Sequence, residues 1–458
     1  MTEATESGEP IVANPAQVAA RWLATASSRV LPDEIIEAAR RTLIDWFACC
    51  VGALREPVVD IITRRVRAWS PSGEALLLTG GATAPAFAAL VHSTAAHACD
   101  FDDTHIYTDA HFSGPTWAAV LAHDRESAPL DDSVMCQAYV AGFEAAAKLG
   151  GRRMGHAMSQ RGFQPTGLLG RLSAAAACAV VQKLAEQQIA LALSIAASQS
   201  AGLTASFGTM LKPFQGGKTA LDGVLAAELA REHFDAPVSI FEKGGGLARA
   251  LVQDGYAEIA VPDFGAGWEI LRNSTKAYPC LHGIHSAIDA AREVHARLHG
   301  REIEHVRVFV GPAVPRIARF TRPSSPHEAK FSITYGVVLG LLGKTAAPHD
   351  YELGTLCSEL VQGLLPRIEV VPTEGRKMID ACVEAKLTDG EILSVDVPLA
   401  RGHPGRPLLE AELEAKFMSL VAPVLGRTSE TLLGTLKMFP AGRAVHDSCA
   451  LVRETLRL

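Results

Sequence analysis

The chemistry and fold of this chain centre on residues 97–115, which read His-Ala-Cys-Asp-Phe-Asp-Asp-Thr-His-Ile-Tyr-Thr-Asp-Ala-His-Phe-Ser-Gly-Pro. The segment contains four aspartates and three histidines. It follows an Ala-rich apolar run at residues 85–98, which predicts a buried helix because Pro85 suits the first helical position. Carboxylates and imidazoles at the end of a buried helix are costly unless they are paired, hydrogen-bonded or used in chemistry. The aromatic residues among these charges favour burial over a solvated acidic loop.

Three kinds of chemistry compete for this segment. Metal binding is the weaker option, because strong metal motifs have a fixed spacing, such as H-E-x-x-H, that is missing here. Aspartyl phosphotransfer uses a loop that follows a strand, whereas the preceding element is predicted to be a helix. General acid/base catalysis is the preferred hypothesis, with His111 as the proton carrier and Asp100 or Asp103 orienting a partner.

The composition restricts the class of protein. Of 458 residues, 48% are hydrophobic and 20% are charged, which allows a large core and is too little charge for disorder. The net charge of -7 argues against a nucleic-acid partner, and no apolar run is long enough to span a bilayer. The acidic N-terminus is unlike a signal peptide. Nine cysteines without metal-type pairs indicate reduced thiols, so we predict a cytoplasmic protein.

The first half of the chain has helical patterns. Residues 14–149 are mostly helical, with Asn14-Pro15 and Pro32 marking helix starts. A polar stretch with glycines at residues 152–170 precedes two helices rich in small residues, predicted at 172–184 and 187–201.

The segment at residues 207–218 superficially resembles a phosphate loop. The pattern G-x-x-x-x-G-K-[ST] fails because the residue five before Gly217 is Lys212, so nucleotide binding is rejected. We expect a helix at residues 219–234 after this segment. Its glycines are expected to let the backbone approach a ligand whose anionic group lies near the helix N-terminus.

The sequence pattern changes after residue 263, where strand patterns appear beside helical ones. Alternating β-branched runs predict strands at 305–310, 368–371, 382–387 and 392–399, with Asp389-Gly390 as a hairpin turn. Helical patterns lie between them at 284–298 and 327–342 and return after Gly405. We therefore predict a mainly α protein, in which a large all-helical domain (residues 1–265 and 405–458) carries a smaller α+β domain (residues 266–404) inserted before the C-terminal helices. Residues 1–11 are expected to be a disordered tail.

Five segments together resemble the MmgE/PrpD family. With the family patterns beside them, they are residues 97–113 (H-x-x-D-F-D-D-T-H with a later H-P-S), 162–170 (G-F-H-x-T-x-x-x-G), 208–217 (G-T-x-x-K), 276–288 (K-x-Y-P-x-x-x-x-x-H) and 329–335 (A-R-F-S-x-x-Y). They occur in family order and span most of the chain. The resemblance implies a large helical domain plus a smaller α+β domain, a homodimer, and activity on small polycarboxylates without metal or nucleotide. Members include 2-methylcitrate dehydratase, cis-aconitate decarboxylase and iminodisuccinate epimerase.

The resemblance also implies the site residues by motif position. Catalytic roles are implied for His111, Asp100, Lys212 and Lys276, and substrate binding for Thr104, Gln164, His285, Lys330 and Tyr335. Asp100, rather than Asp103, is expected to be the partner of His111. The two catalytic lysines lie in turn-type segments and are expected to converge on a substrate carboxylate, because preorganised cations best stabilise developing negative charge.

Three positions depart from the family pattern. Lys330 replaces the usual Arg, which keeps the charge but loses a bidentate fork for a carboxylate. Gln164 stands where many members have His, and an amide cannot exchange protons at neutral pH. Phe112 replaces the usual Pro after His111. If Gln164 has replaced a proton carrier, His111 is the main imidazole acid/base left, and Gln164 orients the substrate.

Three functions remain open from the sequence. The preferred one is a cofactor-independent lyase, a dehydratase or a decarboxylase, acting on a small di- or tricarboxylate. The alternative is an epimerase or isomerase that exchanges an α-proton, with His111 and one lysine on opposite faces of the carbon. A non-catalytic carboxylate-binding relative is the third, motivated by Gln164. Motif residues do not identify the substrate, because the side chains of the pocket wall set specificity.

Overall fold

The computed structural model describes residues 14–241, 246–252 and 261–457, so the tail expected at residues 1–11 lies outside the described residues. The fold is mainly α with a small sheet in the C-terminal region, which confirms the predicted fold class. The helices before that sheet are α1 (Pro15–Leu23), α2 (Asp33–Gly52), α3 (Pro57–Trp69), α4 (Pro85–Ala98), α5 (Ser113–Leu121), α6 (Asp132–Gln160), α7 (Pro165–Val181), α8 (Glu186–Ser198), α9 (Leu211–Arg231) and α10 (Leu247–Val252).

The later elements alternate short helices with strands. The helices are α11 (His285–Leu298), α12 (Val314–Ile317), α13 (Pro326–Ala329), α14 (Ile333–Leu341), α15 (Leu353–Leu356), α16 (Glu359–Leu364), α17 (Glu410–Leu425), α18 (Thr428–Lys437) and α19 (Ala444–Thr455). The strands of the whole described chain are β1 (Ala75–Leu76), β2 (Ala82–Thr83), β3 (Thr104–His105), β4 (Asn273–Ser274), β5 (Ile303–Val310), β6 (Ile368–Pro372), β7 (Ala381–Leu387) and β8 (Ile392–Val397).

One hydrophobic core joins α1–α10 to the C-terminal helices α17–α19. Within it, α4 packs closely against α9 because two glycines of α9 leave room for α4. A Cβ at Gly217 would overlap the Thr94 hydroxyl, and one at Gly216 would lie 3.1 Å from His97 Cδ2. The expectation that the backbone approaches a ligand is therefore wrong for these two glycines, since their space is filled by α4; for Gly208, which lines a small cavity beside Lys212, it stays a prediction.

A second hydrophobic core lies between α11, α14 and a four-stranded sheet of order β6-β5-β7-β8. Strands β5 and β6 are parallel, and the other pairs are antiparallel. The hairpin predicted at Asp389-Gly390 is confirmed, with Gly390 at φ 88° between β7 and β8. This core spans residues 278–397, whereas the first one resumes at residue 413. The domain boundaries placed at residues 265 and 405 stay a prediction.

Several helix boundaries differ from the sequence prediction. Helix α6 runs on to Gln160 through a kink at Gly151 (φ 57°), and α7 already begins at Pro165, which occupies its first turn. Helix α9 begins at Leu211, so Lys212 lies in a helix and not in a turn. The single helix expected at 327–342 is broken into α13 and α14, because Ser332 leaves the helical conformation and caps α14 by accepting from Tyr335 N.

Candidate active site

Asp100 lies just beyond the end of α4, in the left-handed backbone region at φ 53°. This conformation is uncommon for residues other than glycine and is best tolerated by Asp and Asn. It turns the carbonyl and the carboxylate of Asp100 toward two distant lysines. Lys276 Nζ donates to Asp100 O and Oδ1, each at 2.9 Å, and Lys212 Nζ donates to Oδ1 at 2.6 Å. The two predicted lysines thus converge on a carboxylate of the protein itself.

Burial and mutual attraction together set the pKa values of these three groups. Burial raises the pKa of Asp100, but the two ammoniums outweigh it and bring that pKa below its ordinary value. Burial lowers the pKa of Lys212 against the pull of Asp100. For Lys276 burial acts in the same direction, but Asp100 outweighs it and the pKa is raised. The Asp100 carboxyl is therefore ionised at pH 7, and its negative charge attracts the two lysine ammoniums.

Two imidazoles converge on Asp102. His97 Nδ1 lies 2.7 Å from Asp102 Oδ2 in a hydrogen bond, and His111 Nδ1 lies 3.1 Å from the same oxygen without being aligned for one. The two rings meet edge to face at 4.7 Å. The expected pairing of His111 with Asp100 is therefore wrong, and so is the alternative with Asp103. The left-handed turn at Asp100 directs that carboxylate to the lysines and leaves Asp102 to face the imidazoles.

The hydrogen bonds of His97 define where its proton lies. Lys212 Nζ lies 3.1 Å from His97 Nε2, and an ammonium can only donate, so Nε2 is the acceptor. The ring proton then sits on Nδ1 and is donated to Asp102, which fixes the neutral tautomer. Burial lowers the pKa of His97, although Asp102 opposes this shift.

His111 is neutral at pH 7 and keeps one ring nitrogen available. Burial lowers its pKa to about 4, against the pull of the Asp102 carboxylate. Among the described residues, no group forms a hydrogen bond with His111 Nε2. The backbone of His111 is held separately, because its N–H donates to Thr166 Oγ1 at 2.9 Å. A fixed, neutral imidazole of this kind can accept a proton from a substrate.

Asp103 belongs to a separate buried network. Its Oδ2 accepts from Ser113 Oγ and, at 2.6 Å, from Asn273 Nδ2. Ser113 Oγ lies 2.6 Å from the hydroxyl of Tyr139, which stacks on Trp117. Burial is the main cause that raises the pKa of Asp103 to about 7. Adjacent aspartates thus face different partners, and nothing in the sequence distinguishes Asp102 from Asp103.

A small cavity opens beside the cluster. His97, Asp100 and Lys212 line it together with Lys330 and Phe331, and its volume of about 10 Å³ is room for about one water molecule. Lys330 is buried, its Nζ donates to Ala98 O at 3.2 Å, and no carboxylate within the described ranges pairs with it. Lys212 uses two of its three N–H groups, on His97 and Asp100. A polycarboxylate would need the lining side chains to move apart, and it would then meet two cations.

Gln164 is buried with its amide unsatisfied. It directly precedes α7, its backbone N–H donates to Gly202 O at 3.1 Å, and the residue is 2% exposed. Neither Nε2 nor Oε1 has a hydrogen-bond partner in the part of the chain that the structure describes. An unsatisfied buried amide costs about 1–3 kcal/mol. Thr166, two residues further along the chain, accepts a hydrogen bond from the backbone N–H of His111. The N-terminus of α7 therefore fixes the positions of both the Gln164 amide and the His111 imidazole.

The other three predicted substrate contacts form no hydrogen bond or ion pair with the lysine–imidazole cluster among the described residues. Thr104 pairs with Ser274 between β3 and β4, and its hydroxyl is buried without a partner among the described residues. His285 is buried, and its Nε2 bonds to Cys280 O at 3.3 Å. The hydroxyl of Tyr335 donates to Asp350 O within the second core. Their roles in substrate binding stay a prediction.

One group of atoms has the arrangement of a metal site. The ligand-type atoms of His97, Asp102 and His111 all lie within 4.8 Å of one another, although their sequence spacing matches no metal motif. A divalent cation there would have to break the His97–Asp102 hydrogen bond next to the Lys212 ammonium. The donor set therefore fits an acid/base site better than a metal centre.

Comparisons with known proteins identify a family and several relatives. Residues 17–259 match the MmgE/PrpD N-terminal domain and residues 278–435 match the MmgE/PrpD C-terminal domain. The cis-aconitate decarboxylase of Aspergillus terreus is 24% identical over 344 residues, which is 70% of each chain. The cis-aconitate decarboxylase of Homo sapiens is 26% identical over 373 residues, covering 77% of this chain and 76% of the relative. A cis-aconitate decarboxylase-like protein, oryM of Aspergillus oryzae, is 22% identical and covers 88% of this chain and 90% of its own.

Within residues 14–241, 246–252 and 261–457, no helix is long and apolar enough to cross a membrane.

Proposed function

The chain belongs to the MmgE/PrpD family, and on this premise we propose that it is a lyase that removes water or carbon dioxide from a small di- or tricarboxylate. The observation that carries the proposal is the neutral His111, with Nε2 available, next to a buried cluster of lysines. The cis-aconitate decarboxylase relatives support the reaction class. We propose that the reaction needs no metal, nucleotide or other cofactor, and that the enzyme is a homodimer.

Binding of the substrate would use the cations that line the cavity. Lys330 has no carboxylate partner among the described residues, and Lys212 retains one N–H. We propose that these two groups hold a substrate carboxylate while the Gln164 amide holds a second oxygen. Both dehydration and decarboxylation build negative charge next to a carboxylate, so fixed ammoniums stabilise the transition state more than the ground state.

The proton step would belong to His111. In dehydration, Nε2 takes the proton from the carbon next to a carboxylate, the C–C double bond forms, and the hydroxyl leaves as water with a proton donated by the Lys212 ammonium. In decarboxylation, the electron pair of the broken C–C bond forms a carbanion, which takes a proton from the same ammonium as CO₂ leaves. A neutral His111 favours proton removal as the first step.

The same observation keeps an epimerase as a second candidate. Epimerisation also begins with removal of an α-proton by a neutral base, and a second group returns a proton on the opposite face. Lys212, with a pKa lowered by burial, would be that donor.

A screen of polycarboxylates by proton NMR in deuterated buffer tests these proposals together. Dehydration creates an alkene signal, decarboxylation changes the carbon skeleton, and epimerisation exchanges the α-proton for deuterium. We expect one di- or tricarboxylate to react with the native protein and His111→Gln to react 10²–10⁴-fold more slowly, the usual range for a general acid/base. No reaction with any polycarboxylate would exclude the proposed function. Loss of activity on exhaustive chelation, restored by added metal, would exclude the metal-free reaction.

A further inference from the structure

We propose that Lys416, held by Asp45, is a positioning residue that fixes Asp100 and Lys276 relative to each other. The inference rests on the proposed lyase function. Lys416 lies on α17 and Asp45 on α2, so both are far in sequence from the segments that carry the site. Neither belongs to any of the motif segments of the sequence.

The Lys416 ammonium has three buried oxygen partners. It donates to Phe101 O at 2.7 Å and to Lys276 O at 3.0 Å, and it forms an ion pair with Asp45 Oδ1 at 2.5 Å. The nitrogen also lies 4.1 Å from the centre of the Phe101 ring. Both charged side chains are at most 4% exposed. These contacts hold the ammonium in one place.

The two accepting carbonyls lie on the two segments that form the lysine cluster. Phe101 directly follows Asp100, and the second carbonyl belongs to Lys276 itself. Lys276 Nζ in turn donates to the carbonyl and the carboxylate of Asp100. Lys416 therefore closes a ring of hydrogen bonds around the Asp100–Lys276 pair. A shift of either backbone segment has to break one of these buried bonds.

Stability alone is a weak explanation for this ion pair. Replacing a buried ion pair by neutral groups of similar volume is often neutral or stabilising, because the two charges no longer have to be desolvated. Placement is a better explanation, since a displacement of about 1 Å at a reacting centre can slow catalysis about 10²-fold. The Asp45–Lys416 pair is thus expected to affect turnover more than folding.

The test uses a neutral replacement of the pair and a matched control. Asp45→Asn together with Lys416→Met removes both charges and keeps the volume, so no buried charge is left alone. Arg41→Met is the control, because Arg41 also joins α2 to α17, through Glu410 and Leu408 O at 2.7 Å each, but contacts no site segment. We expect the double variant to lower kcat about 10–100-fold with KM within about threefold, and the control to change neither. The single variant Lys416→Arg, which keeps Asp45 and the positive charge, should have a kcat between those of the double variant and the native protein.

Coupling to Lys276 separates positioning from a general loss of structure. Once Lys276→Met has removed the positioned group, adding the double replacement should lower kcat by less than about threefold. The proposal would be overturned if the double replacement lowered kcat by the same factor with and without Lys276→Met. It would also be overturned if the kcat of the double variant stayed within twofold of that of the native protein.

A crystal structure of the double variant gives a readout that needs no activity. We expect Lys276 Nζ to move away from Asp100 Oδ1; an unchanged contact would overturn the positioning role. If the native protein reacts with no polycarboxylate, the proposed function fails, and the crystal structure still decides whether Lys416 positions the pair.

Discussion

Replacing Asp102 by Asn should weaken His111 as a base while keeping the shape of the site. Asp102 Oδ2 lies 2.7 Å from His97 Nδ1 and 3.1 Å from His111 Nδ1, so the carboxylate favours protonated imidazole at both positions. An opposite charge within about 4–6 Å shifts a pKa by about 1–3 units. Without the Asp102 carboxylate we therefore expect the pKa of His111 to fall by about 1–3 units from its value of about 4.

The assay is the pH dependence of kcat/KM for Asp102→Asn and the native protein. The base is inactive when protonated, so the acidic limb reports the pKa of His111 and should move to lower pH in the variant. Turnover at pH 7 should fall at least about 10-fold, and by no more than the 10²–10⁴-fold of losing a general base. NMR titration of labelled histidine follows the same pKa without turnover.

Asp103→Asn is the matched control for this experiment. It removes the adjacent carboxylate, whose hydrogen bonds go to Ser113 and Asn273 and not to an imidazole. The acidic limb should stay in place in this variant. If the limb of Asp102→Asn stays or moves to higher pH, or if both variants behave alike, the pairing of His111 with Asp102 has no catalytic role.

Three further predictions concern neighbouring groups. Because burial raises the pKa of Asp103 to about 7 in the folded state, this carboxyl should lower the free energy of unfolding by up to about 4 kcal/mol as the pH rises from about 4 to 7. Urea unfolding at pH 5 and 8 should therefore show a fall that is about 3 kcal/mol smaller in Asp103→Asn than in the native protein, in which Glu144 and Asp132 also have raised pKa values. Lys330→Met should lower kcat/KM about 10–100-fold, through a lower kcat as well as a higher KM, the effect of losing about 1.5–3 kcal/mol of charged hydrogen bonding; steady-state kinetics with Lys330→Arg, expected within about threefold of native, is the control. Gln164→His should not raise turnover of the native substrate, because the pocket is built around an amide; a strong increase in kcat would contradict the orienting role of Gln164.

Local sequence signals were sufficient for much of the fold. Proline and capping residues marked the starts of α1, α2 and α4, and Asp389-Gly390 marked the hairpin of β7 and β8. These features depend on residues close in sequence, where backbone φ preferences and side-chain caps act directly. Motif segments also identified Asp100, Lys212, Lys276 and Lys330, which the structure brings to one cluster and its cavity.

What only the tertiary structure decided is which groups face one another. The backbone at Asp100 is left-handed, so the next residues turn, and Asp102 meets the imidazoles while Asp103 meets Ser113. Gly216 and Gly217 suggested a ligand loop but serve the packing of α9 on α4. Asp45 and Lys416 stand 371 positions apart and give no local signal, because their pairing depends on α17 returning to the first core. Residue types and nearby patterns define candidate chemistry, whereas the direction of each carboxylate depends on long-range packing that no short stretch of sequence contains.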